Sequence, residues 1–118
     1  MPRFVVLTHK HPRGLHWDFM LEAGERLATW ALPEEPTEGR ELTAEMLPDH
    51  RRDYLDYEGP VSGDRGQVWR WDSGVYEAER QTDDEWVVSL SGAKLRGRTV
   101  LTRIAAMPGG WRFRCEGG

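Results

Sequence analysis

The chain has 118 residues, 16 Lys and Arg against 20 Asp and Glu, a formal net charge of −4 at pH 7, and a single cysteine. That length fits one domain, residues 1–118, with a real core. The charge argues against a protein that coats nucleic acid through a generally basic surface, and lone Cys115 excludes an internal disulfide framework. No apolar run approaches the length of a membrane span, and the start Met1-Pro2-Arg3-Phe4-Val5-Val6 lacks the long apolar stretch and small-residue cleavage site of a signal peptide. A cytoplasmic protein with no membrane association is expected.

Residues 4–8 read as a strand, and if it continues through Lys10 it carries His9 and His11 on one face. Pro12 and Gly14 mark a turn. Residues 16–22 read as a second strand, whose alternation points His16, Asp18 and Met20 to one face and Trp17, Phe19 and Leu21 to the other. Three of the four histidines and an aspartate thus gather around one turn. A lone His-x-His or His-x-Asp pair is common on surface strands, but two such pairs across one turn are a candidate metal site. Neutral imidazole and carboxylate suit manganese, iron, zinc or nickel better than calcium or magnesium, and three protein ligands leave positions open for chemistry.

Further apolar runs at 26–32, 67–71, 74–79, 85–91, 98–104 and 111–115 continue the pattern, with Asp72-Ser73-Gly74, Asp83-Asp84 and Pro108-Gly109-Gly110 as hairpin-type connections. The expected fold is mainly β: a small closed barrel of about eight strands, with a sandwich as the alternative. Residues 33–57 break the alternation, and Thr43-Ala44-Glu45-Met46-Leu47, interrupted by Pro48, reads as a helical turn in a partly helical crossover. Long ordered loops on a β scaffold are where ligand contacts tend to sit. The end of this one places His50 and Tyr54 four residues apart, on one face if helical. The six tryptophans lie in strand-like runs, which favours core packing over base stacking, and Cys115 reads as a strand residue. The arginines from Gly92 onward form either a local basic face or the solvent side of alternating strands.

The ordered set Lys10-His11, Leu15-His16-Trp17-Asp18-Phe19, Leu21-Glu22, Thr29-Trp30-Ala31-Leu32-Pro33, Asp49-His50 with Tyr54, Tyr57-Glu58-Gly59 and Gly63 resembles the 3′-phosphoesterase domain of bacterial DNA ligase D. So do Gly66-x-Val68, Trp71-Asp72-x-Gly74-x-Tyr76-Glu77 and Leu90-Ser91-Gly92-x-Lys94-Leu95-x-Gly97. The resemblance runs nearly the whole length. It implies a compact β-barrel hydrolase that trims 3′-terminal ribonucleosides and 3′-phosphates at DNA breaks. Manganese is the implied cofactor, with zinc, cobalt or nickel as alternatives. Partners would be DNA or RNA–DNA 3′ ends and a ligase or other end-joining proteins, and a monomer is expected.

The resemblance assigns the metal to His11, His16 and Asp18, with His9 as an additional or substitute ligand, and the scissile phosphate to His50 and Tyr54. Two family cations are replaced here by Met20 and Glu34, and the His11 to His16 spacing is one residue short. Arg40, at a shifted spacing, stands in for a third family arginine. Arg13, Arg51, Arg52 and Arg65 are the candidates to replace the lost charge, with Arg40 and Arg52 taken as phosphate-binding. The missing cations leave open a catalytically reduced module that binds metal or DNA ends, and the acidic net charge leaves open an enzyme acting on a small phosphorylated molecule.

Overall fold

A computed structural model of the chain describes residues 1–117. Nine antiparallel strands lie in one sheet: β1 (Arg3–His11), β2 (Gly14–Ala23), β3 (Arg26–Leu32), β4 (Glu41–Arg51), β5 (Gly59–Pro60), β6 (Gln67–Gln81), β7 (Glu85–Gly92), β8 (Arg96–Arg103) and β9 (Gly110–Cys115). The order β1-β2-β3-β4-β9-β8-β7-β6 closes through pairing of β6 with β1, and the two-residue β5 pairs with the start of β6. Eight strands therefore form a ring, the barrel expected from the alternating runs, and closure removes the sheet edges that a sandwich would leave.

Alternation sorts the side chains into two apolar layers. Phe4, Val6, Trp17, Phe19, Leu21, Trp30, Trp86, Trp111 and Phe113 belong to the interior cluster, where Trp30 meets Trp86 and Trp111 edge-on with ring centroids 5.5 and 5.6 Å away. Four of the six tryptophans are buried there, whereas Trp69 is exposed and Trp71 lies at the margin under the Lys94 ammonium. Cys115 is a buried strand residue. On the outer face of β1 and β2, Val5, Leu7 and Met20 form a second cluster with Leu27, Leu55, Val61 and Val68. The run Phe4-Val5-Val6-Leu7 is continuously apolar because β1 is covered on both sides.

Two expectations are corrected. Residues 43–47 are not a helical turn but the middle of β4: Leu42 and Ala44 point into the core while Glu41, Thr43 and Glu45 face solvent. Ala, Glu, Met and Leu favour helix, but pairing with β3 on one side and β9 on the other overrides that weak preference. The crossover is partly helical only in the 3₁₀ turn Arg52–Leu55. Likewise Asp72-Ser73-Gly74 is not a hairpin, because 67–71 and 74–79 are one continuous strand, β6. Asp72 is buried, and its carboxylate accepts the backbone N–H groups of Ser73, Ala93, Lys94 and Leu95, tying β6 to the β7–β8 turn.

Candidate active site

The β1–β2 hairpin sets the centre of the site. A two-residue turn at Pro12-Arg13 fixes a register in which His9 faces His16 and Leu7 faces Asp18. With alternation, this puts His9, His16 and Asp18 on the outer face, continuing the row of Val5, Leu7 and Met20. Asp18 is 2 % exposed, and its Oδ2 lies 2.9 Å from His9 Nδ1. Its Oδ1 stands 2.9 Å from His16 Nε2 but is misaligned for a hydrogen bond, leaving a buried oxygen without a satisfied partner. Burial pushes the Asp18 pKa up, and the adjacent His16 and His9 more than offset this, so the carboxyl sits below its usual value.

His9 is held at both nitrogens, since Nε2 lies 2.7 Å from the Arg65 carbonyl. Both partners are acceptors, and the ring satisfies both when it is protonated; the bond to Asp18 raises its pKa against the opposing effect of burial, and the Arg65 carbonyl adds to the rise. The carbonyl comes from the loop before β6, which reaches His9 because Gly66, at φ +83°, lets the backbone press against the Lys10 carbonyl.

His9, His16 and Asp18 offer two imidazole nitrogens and a carboxylate oxygen within 4.8 Å of one another. The donor types, their convergence and the unsatisfied Asp18 oxygen fit a divalent cation in place of the His9 proton. His11 stands beside this set without joining it, its ring centroid 5.5 Å from that of His9 and 6.4 Å from that of His16. Partial desolvation, then the positive charges of His9, His16, Arg13 and Arg65, lower the His11 pKa.

A cleft of about 1010 Å³ opens over the three donors and is also lined by His11, His50 and Tyr54. A register shift between β3 and β4 accommodates Pro48, which has no N–H to pair, and re-aims His50. The His50 Nδ1–H donates to the Pro48 carbonyl at 2.9 Å, which leaves Nε2 as the working nitrogen. His50 and Tyr54 meet edge-on at 5.5 Å, although the segment between them is strand end and 3₁₀ turn rather than α-helix.

Among the arginines, Arg13, Arg51 and Arg65 line the cleft. Arg40 pairs with Glu34 and Arg52 with Glu22, so both are engaged elsewhere. Residues 43–45 and 107–110, which the sequence did not single out as site residues, form the far wall. Their strand and turn patterns carry no chemical signal, and only the β4–β9 pairing brings them there.

Residues 7–103 match the DNA Ligase D 3'-phosphoesterase domain. The chain belongs to this family. It is 37 % identical over 109 residues to the multifunctional non-homologous end joining DNA repair protein LigD of Mycobacterium tuberculosis, covering 85 % of this chain and 14 % of that protein. It is 33 % identical over 115 residues to the LigD of Mycolicibacterium smegmatis, covering 84 % of the chain and 15 % of the relative. With the LigD of Pseudomonas aeruginosa it shares 34 % over 111 residues, covering 86 % and 13 % respectively. The aligned part is thus about one-seventh of these relatives. Among the described residues no helix is long and apolar enough to cross a membrane.

Proposed function

We propose that the chain is a metal-dependent 3′-phosphoesterase that removes 3′-terminal ribonucleosides and 3′-phosphates from DNA ends in the cytoplasm, leaving hydroxyls for an end-joining ligase. The observation that carries this reading is that one cleft collects the His9–His16–Asp18 donor set and the His50–Tyr54 pair. His9, His16 and Asp18 would hold manganese, with zinc, cobalt or nickel compatible with the same donors. When bound, such an ion supplies Lewis acidity toward a phosphoryl oxygen and lowers the pKa of a bound water.

The chain's own residues supply orientation and charge. A phosphodiester is anionic, and attack on phosphorus concentrates negative charge on its nonbridging oxygens, so donors aimed there lower the barrier. His50 Nε2, when protonated, donates to such an oxygen or to the departing alkoxide, with Nδ1 anchored on Pro48 so that the ring keeps its aim. Tyr54 packs against the outer apolar layer and lines the cleft, where its hydroxyl would orient the phosphate. Family membership and the placement of the donor set and the His50–Tyr54 pair in one cleft support catalysis over metal or DNA-end binding alone.

The test is product analysis on a primer-template ending in one ribonucleotide or in a 3′-phosphate, with manganese. Wild-type protein is expected to release the nucleoside and then phosphate, and His50→Ala to slow release by about 10²-fold or more. Unchanged release by His50→Ala would contradict the assignment.

A further inference from the structure

His11, Arg13 and Arg65 also line the cleft, and their side chains belong neither to the His9–His16–Asp18 donor set nor to the His50–Tyr54 pair. Their geometry is built rather than incidental. His11 Nδ1 accepts the backbone N–H of Arg13 at 3.0 Å, so the ring proton resides on Nε2 and that edge is a donor. The same bond occupies the His11 Nδ1 lone pair. Arg65 donates from Nε to the Ser62 carbonyl at 2.7 Å and from a terminal nitrogen to Ser62 Oγ at 3.1 Å, which fixes its guanidinium on the loop. That loop is itself seated by the Arg65 carbonyl on His9 and by the close approach of Gly66 to Lys10. Among the described residues neither Arg13 nor Arg65 meets a carboxylate, whereas Arg3, Arg40, Arg52, Arg98 and Arg103 each do.

We propose that His11, Arg13 and Arg65 form a phosphate cradle beside the His9–His16–Asp18 set and that it holds the internucleotide phosphate adjoining the one cleaved. This rests on the phosphoesterase reading of the cleft. Sheet order separates the two phosphates: Arg65 approaches β1 from the β6 side, whereas His50 lies on β4, two strands beyond β2. The cleaved phosphate belongs between the donor set and His50, so the cradle is left to its neighbour along the strand. An imidazole N–H and two guanidinium groups, with no acid among them, are the donors a backbone phosphate takes.

The experiment uses the metal-free full chain and a single-stranded oligonucleotide bearing a 3′-phosphate, with binding read by fluorescence anisotropy across a salt series. Arg13→Gln and Arg65→Gln are each expected to weaken binding about fivefold to tenfold and to reduce the salt slope by roughly 0.7 per contact. Arg13→Lys and Arg65→Lys should recover most of the slope, which separates lost charge from lost fold. A nucleoside 3′-monophosphate, which lacks the adjoining phosphate, should bind all of these proteins equally.

In a parallel manganese titration, His11→Gln should keep wild-type affinity and His9→Gln should lose at least about tenfold, as removal of a ligand predicts. An unchanged salt slope in the arginine variants, equal weakening of the mononucleotide, or a His11→Gln loss of manganese affinity matching His9→Gln would each overturn the cradle. No readout involves hydrolysis, so an inactive protein that behaves as expected here counts against the activity and not against the cradle.

Discussion

Gly66→Ala tests how the loop before β6 supports the site. A Cβ at this position falls 1.8 Å from the Lys10 carbonyl oxygen, whereas real Cβ contacts are no shorter than 3.0 Å, so the loop must retreat by about 1 Å. The 2.7 Å contact from His9 Nε2 to the Arg65 carbonyl then stretches to nearly 4 Å, beyond hydrogen-bond range. Alanine at φ +83° costs about 1–2 kcal/mol in conformation, and the lost hydrogen bond from a charged ring adds about 1.5–3 kcal/mol. Gly24→Ala is the control, because that glycine also has positive φ but a Cβ there meets nothing within 4 Å. Thermal unfolding followed by circular dichroism should place Gly66→Ala about 10 °C below Gly24→Ala. Manganese affinity should fall only in Gly66→Ala, because only there does the His9 ring lose its anchor. Equal unfolding temperatures with unchanged manganese affinity would refute the reasoning.

Burial raises the Tyr76 pKa to about 12, and its hydroxyl donates to the Glu22 carbonyl at 2.6 Å. With the folded pKa above the unfolded value of about 10, this group's stabilisation is complete below pH 10 and is lost between pH 10 and 12. Urea midpoints measured from pH 8 to 12 should show Tyr76→Phe losing about 1 kcal/mol at neutral pH yet declining less steeply than wild type in alkali. Asp72→Ala removes the acceptor for four backbone N–H groups and should cost about 2–4 kcal/mol by urea titration while leaving manganese affinity unchanged. Phe113→Ala, which empties a fully buried position against Phe19, should lower stability by about 3–5 kcal/mol in the same assay.

The barrel was legible because period-two alternation and turn residues mark strands locally, and the hairpins 3–23 and 85–103 need no distant information. The β4 strand was hidden because its residues favour helix and its partners, β3 and β9, lie far apart in sequence. Asp72 escapes a local reading for a related reason: a turn former that is buried acts as an acceptor, and burial is not visible in a local window. The histidine–aspartate grouping was visible from spacing alone. Which histidines converge was not, because that depends on the register set by the shortened turn, which aligns His9 with His16 and His11 with Gly14.

Met20 shows the same limit from the other direction. Read as a missing cation, it is 1 % exposed and packs in the outer layer with Val5, Leu7 and Leu27, where an arginine would be buried in apolar surroundings. Glu34 is likewise taken up by Arg40. The arginines that line the cleft are instead Arg13, Arg51 and Arg65, carried by the β1–β2 turn, the end of β4 and the loop before β6.

Single-turnover release of phosphate from a 3′-phosphorylated primer, measured as manganese is titrated into metal-free protein, tests the shared site most directly. Wild type should gain activity in step with occupancy of one site, and Asp18→Asn should lose both the binding and the activity. Full activity without added metal, or an active Asp18→Asn, would contradict a catalytic centre built on His9, His16 and Asp18.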